Sequence, residues 1–174
     1  MILKIKQWWN DDTGIAAVEV AMLLPIILVL LLGIVDLGNA IVIHKKVMTA
    51  SSVAADLLTR SSSVDDTEMA DSWQAAQMAI DPYNRNLLGM DVASIQFQGI
   101  NATPTVMWRE TYNMAANPNV IALAAGLGTE GEGVMVVTTR YQYTPAFGQV
   151  LTGTMVMQEV AVTRGRRNSY VSRE

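Results

Sequence analysis

Gly14-Ile15-Ala16-Ala17-Val18-Glu19-Val20-Ala21-Met22-Leu23-Leu24-Pro25 opens the stretch that decides the fold, and the apolar run continues from Ile26 to Val35. From Ile15 to Val35 there are 21 residues, of which only Glu19 is charged. At 1.5 Å rise per residue a helix of this length reaches roughly 30 Å, the thickness of a bilayer's hydrocarbon core. Val20 to Val35 carries no charge and a single proline, Pro25. That proline removes one backbone donor, so a mild kink is expected, of the kind neighbouring helices tolerate.

Working outward, the helix continues past the membrane. Ile43, Val47, Ala50, Ala54 and Leu57 recur at three- and four-residue spacing and make one apolar stripe, while Lys45, Lys46, Thr49, Ser52 and Asp56 face water. Ser61-Ser62-Ser63 ends it. A second helix starts near Asp65, where Asp65 and Glu68 have the spacing of a capping box. Four strand-like segments follow at Val92–Ile100, Thr105–Tyr112, Gly133–Tyr143 and Thr154–Thr163. In the first, Ala93, Ile95 and Phe97 alternate with Ser94, Gln96 and Gln98, which predicts one buried face. The short Asn101–Pro104 loop predicts a hairpin between the first two strands. Asn119–Ala125 reads as a short helix after Pro118, and Gly126, Gly128, Gly131 and Gly133 as a flexible loop. The expected fold is α+β: a long N-terminal helix, transmembrane then amphipathic, with a small antiparallel β-sheet head.

Composition narrows the function. The formal net charge of −4 argues against a nucleic-acid binder that relies on a broad basic field. The chain has no cysteine, which excludes a disulfide framework, a thiolate metal site and a cysteine nucleophile. The head must therefore hold together by its core, for which roughly 110 residues suffice. His44 is the sole histidine and has no carboxylates at ligand spacing around it. Asp65, Asp66, Glu68 and Asp71 lack the glycine of a calcium loop and read as acids at a helix N-terminus. Gly126-Leu127-Gly128 lacks the lysine of a phosphate loop. Asn101-Ala102-Thr103 has the form of a glycosylation sequon, and the eleven methionines read as core filling. No catalytic set, cofactor or small-molecule substrate is suggested. Arg164, Arg166, Arg167 and Arg173 form a basic end that reads as solvated charge or as a contact for acidic partners.

Three readings compete for residues 1–43. One is a simple anchor. Another is a cleaved secretory signal, with Lys4 and Lys6 as its basic region and cleavage after Gly38-Asn39-Ala40, releasing a soluble protein. Against it, the apolar stretch is long for a signal and Asp36 sits in the wrong place. The third is favoured. Thr13-Gly14-Ile15-Ala16-Ala17-Val18-Glu19 resembles the processing site of type IV prepilins, in which a membrane-embedded peptidase cuts after the glycine on the cytoplasmic side. Glycine lets the backbone extend and approach a peptidase closely. A carboxylate in an apolar span costs up to about 2.5–3.5 kcal/mol at mid-bilayer, less near an interface, so Glu19 needs a reason to be there. Loop charges do not decide the orientation, because Asp11 and Asp12 offset Lys4 and Lys6 while Lys45 and Lys46 lie beyond the other end. Trp8 and Trp9 suit a membrane interface.

The resemblance then becomes more specific. Gly14 to Pro25, followed by Gly33-Ile34-Val35-Asp36-Leu37-Gly38, is similar to the TadE-like minor pseudopilins of tight-adherence (Flp-type) pilus systems. Tyr141-Gln142-Tyr143-Thr144-Pro145 resembles that family's penultimate strand. The resemblance implies a leader over residues 1–14, cut between Gly14 and Ile15, a helix over 15–60 and an extracytoplasmic head over 61–174. It implies that Glu19 meets the free amine of a neighbouring subunit's Ile15, and that Pro25 kinks the helix. The partners it implies are the prepilin peptidase, other pilins and pseudopilins, and the inner-membrane pilus assembly platform, in a single-pass protein with a cytoplasmic N-terminus and a periplasmic head that joins the pilus. The alternative is an unprocessed inner-membrane scaffold with a periplasmic binding domain.

Overall fold

A computed structural model describes residues 13–148 and 153–174. The expectations placed on Lys4, Lys6, Trp8, Trp9, Asp11 and Asp12 lie outside the described residues. Helix α1 runs over Thr13–Leu58, 46 residues, and passes through Pro25 without a break. At 1.5 Å per residue it is about 69 Å long. It is long and apolar enough to cross a membrane. Its two halves differ in what covers them. From Gly14 to Val35 nearly every residue is exposed. Beyond that, Asp36, Ala40, Ile43, Val47, Ala50, Ala54 and Leu58 are buried against the rest of the protein. The apolar stripe is therefore where its spacing placed it as far as Ala54. Leu58, not Leu57, closes it, because a 3.6-residue turn carries position 57 off the buried face.

The remaining elements are β1 (Ser63–Val64), α2 (Asp66–Ala79), a 3₁₀ turn (Arg85–Leu87), β2 (Leu88–Gln98), β3 (Thr103–Tyr112), α3 (Val120–Ala124), β4 (Gly133–Tyr143), β5 (Met155–Thr163) and β6 (Ser172–Arg173). Helix α2 opens with the expected capping box: Asp65 Oδ1 accepts the Glu68 amide at 2.7 Å and Glu68 Oε2 accepts the Asp65 amide at 3.3 Å. Strands β2 to β5 form one antiparallel sheet in the order β3-β2-β4-β5. The hairpin between β2 and β3 is present, turning at Gly99–Ala102.

Helices α1 and α2 lie side by side on one face of the sheet, over Leu88, Met90, Val92, Met135, Val137, Tyr141 and Tyr143. Trp73 of α2 stacks on Tyr112 of β3, with ring centroids 5.3 Å apart. The opposite face holds a second core: Ala93, Ile95 and Phe97 of β2 meet Val134 and Val136 of β4 beneath Val120 and Ala124 of α3. This corrects the expectation of one buried face for β2. As an inner strand covered on both sides it buries Ser94 too, whose hydroxyl donates to Val171 O at 2.9 Å.

The glycine loop is also tied down. The Gly131 amide donates to Phe97 O at 2.8 Å, the Phe97 amide donates to Glu132 O at 2.9 Å, and Gly128 packs against the Phe97 ring. The C-terminal tail crosses the sheet end, and β6 pairs parallel with β1. Three of the four arginines there hold partners within the chain. Arg164 pairs with Glu132, Arg166 with Asp56, and Arg173 with Asp66 and Glu110.

Candidate assembly site on the long helix

The residues singled out for assembly sit on the uncovered half of α1. Among the described residues the helix starts at Thr13, and Gly14 and Ile15 lie in its first described turn. A Cβ at Gly14 would touch nothing, and Ile15 is exposed. Glycine lowers the stability of a helix interior by roughly 1 kcal/mol relative to alanine, so Gly14 is a weak point in this stretch of the helix. Glu19 lies one further turn along, exposed among Val18, Val20 and Leu23. Pro25 falls in the interior of the helix, where its ring nitrogen cannot donate to the carbonyl of Ala21.

Asp36 is the residue whose role the sequence reading left open. It stands at the end of the apolar run and is only 7% exposed. Its carboxylate receives three successive backbone amides from the loop after β4. Oδ1 accepts Ala146 at 3.1 Å, and Oδ2 accepts Phe147 at 3.0 Å and also Gly148. The Tyr143 hydroxyl donates to the Asp36 carbonyl at 3.4 Å. Burial first, and then the nearby Asp36 charge, push the Tyr143 phenol above its ordinary value. The Gly33–Gly38 segment and the Tyr141–Pro145 segment, more than a hundred positions apart, are thus one junction. Between them lies an apolar hollow of about 320 Å³ bordered by Gly33, Leu37, Ala40, Pro145 and Met155.

Further contacts fix the helix to the head along its covered half. Thr139 Oγ1 donates to Val47 O at 3.0 Å, and His44 Nε2 lies 3.2 Å from Glu159 of β5. Lys46 Nζ reaches Ala79 O at 3.5 Å. Helix and head therefore share one core, and a force on the helix is passed to the sheet. Within the head, buried Asp91 holds Arg109 by two hydrogen bonds of 2.8 and 2.5 Å and accepts the Asn117 amide at 2.9 Å. Those bonds from Asp91 raise the Arg109 guanidinium further above its ordinary value. Arg109 also donates to Asn117 O at 2.7 Å, so the pair pins the segment leading to α3 onto the sheet.

Residues 14–56 match the family model described as TadE-like protein. The matched segment takes in Gly14, Glu19, Pro25 and Asp36 and ends two residues before α1 does, so the long helix of this chain is TadE-like. No curated protein and no solved structure matches the chain.

Proposed function

We propose that the chain is a minor pseudopilin of a tight-adherence pilus, cut after Gly14 by a prepilin peptidase and retained in the membrane by the helix that follows. The observation that carries this reading is one continuous helix with two surfaces. Its first half exposes apolar side chains broken by a single glutamate, and its second half is built into the core of a folded head. A cleaved signal would not be made this way, since its removal at Ala40 would leave the head without Asp36 and expose the apolar positions beneath it.

The roles then follow from the chemistry. Cutting leaves Ile15 with a free amine at the very end of the helix. Glu19 lies one turn away on a helix surface whose other side chains are apolar. In a bundle of such helices the amine of an adjacent subunit's Ile15 is a suitable cation, and pairing with it sets the register between subunits. The head lies on the periplasmic side, and the assembly platform supplies the work of extraction. N-terminal sequencing of the mature protein tests this. A start at Ile15 is expected, and a start at Met1 or beyond Ala40 would overturn it.

One observation favours a second reading, an uncut inner-membrane scaffold: Gly14 is already helical and is not presented as an extended strand. That reading requires an intact mass in the membrane fraction and no chain in sheared surface filaments.

A further inference from the structure

Between Glu19 and His44 the helix carries one formal charge, Asp36, and the β4–β5 loop covers it. Its carboxylate faces three backbone amides and not solvent. The exposed apolar surface of α1 therefore does not stop at Val35. Leu37, Ile41 and Val42 continue it, each about half exposed. From Ile15 to Val42 it is about 42 Å long, roughly 12 Å more than a hydrocarbon core of about 30 Å accommodates.

Over that excess the helix is already joined to the head. Asp36, Ala40 and Ile43 are buried in the junction while Leu37, Ile41 and Val42 face out. The loop adds to the same surface. Tyr141 to Gln158 contains no charged residue, and Phe147 is 55% exposed although its amide is bonded to Asp36. Charge resumes one level higher, at His44 with Glu159, and at Lys45.

We propose that the base of the head beds into the lipid surface on its own side of the membrane, with Phe147 and the Leu37–Ile41 face at the boundary between headgroups and acyl chains. The occupant is lipid because this surface continues the membrane-spanning segment without a break, at a depth set by the Asp36–Phe147 bond. An aromatic side chain at that depth is favourable, and an excess of apolar length is relieved by burying it at the interface. The inference rests on the reading of α1 as a membrane span.

The chain has no native cysteine, so single cysteines report cleanly. Full-length Phe147→Cys, Leu37→Cys, Leu28→Cys and Glu130→Cys, spin-labelled in phosphatidylcholine vesicles, would be compared by collision with oxygen and with an aqueous nickel chelate. Leu28 lies within the span and Glu130 at the far end of the head. The expected result is that positions 147 and 37 are shielded from nickel relative to 130, with an oxygen preference short of that at 28, and with no change on dilution into more lipid. Leu37→Cys guards against a loop loosened by the change at 147. Nickel access at 147 and 37 equal to that at 130, with 28 still shielded, overturns the inference and leaves the span intact. Shielding that disappears on dilution means that a second copy covers the face, and also overturns it. Nickel access at 28 removes the span itself and the inference with it.

Discussion

Asp36 Oδ2 accepts the amide of Phe147, 111 residues further along the chain, at 3.0 Å, and so locks the β4–β5 loop to the end of the apolar run. Asp36→Ala would leave three loop amides without their acceptor. Hydrogen bonds to a charged group contribute about 1.5–3 kcal/mol each, and water will replace some of them, so a loss of about 3 kcal/mol is expected. Hydrogen exchange at residues 146–148 should speed up sharply. Asp36→Asn, which keeps one carbonyl oxygen, should fall in between. Unchanged exchange in the alanine variant would show that the latch contributes nothing.

Gly14→Ala should abolish maturation, because a methyl group obstructs close approach of the peptidase and stabilises the helix there by roughly 1 kcal/mol. The immunoblot should show only the longer precursor. Glu19→Ala should be cut normally and then fail to enter filaments, since the proposed partner of the Ile15 amine is gone. Wild-type pili from both variants would refute the assignment of both residues.

Asp91 is fully buried and Arg109 largely so. Arg109→Ala strands the Asp91 carboxylate with only the Asn117 amide for company. Breaking a buried pair from one side costs about 3–5 kcal/mol, and the partial exposure of Arg109 points to the low end. The thermal midpoint of the detergent-solubilised chain should drop by several degrees. Removing both charges in Arg109→Met with Asp91→Asn should recover part of the loss, which a purely steric role for Arg109 would not allow.

Gly128 has no room for a side chain, because a Cβ there would collide with the Phe97 ring. Gly128→Ala forces that ring or the loop to move, at a cost of about 1–3 kcal/mol. A lowered urea midpoint is the expected reading. An equal midpoint would restore the view of this loop as loose and unpacked.

What the sequence made legible was local. Asp65 and Glu68 are three residues apart, and the capping box they make needs nothing else. The β4 boundaries were readable because Val, Thr and Tyr crowd Gly133–Tyr143 between glycine and proline. What escaped was long-range. That Ser94 is buried follows from Val171 arriving from the tail, and the second buried face of β2 from α3 folding over it. The acid of Asp36 was conspicuous, yet its partners lie in a loop of small and apolar residues that offers only backbone amides, which leave no mark in a sequence. The partners of the basic tail escaped too: Arg164 and Arg166 stay largely solvated as read, but the carboxylates they and Arg173 meet, Asp56, Asp66, Glu110 and Glu132, are scattered over the chain.

Two carboxylates that meet the tail arginines also contribute to the response to acid. The hydrogen bond from Arg60, with help from the Arg166 charge, holds the Asp56 carboxyl below its ordinary value of 3.8. Backbone and side-chain bonds from Thr129, with Arg164 nearby, hold Glu132 below its ordinary 4.5. A carboxyl depressed by folding binds fewer protons in the native state than in the unfolded one. Its contribution is therefore complete above the unfolded value and is lost as pH falls through the folded one. The thermal midpoint should decline as pH drops from about 5 towards 3, the interval in which these carboxyls take up protons. Arg166→Ala lowers the midpoint at neutral pH only slightly, because exposed pairs contribute little, but it returns Asp56 part of the way to 3.8 and so flattens the decline. Glu132→Gln removes the second titration and flattens it again. If both variants lose stability with acid as steeply as the native chain, the tail pairs do not govern acid sensitivity.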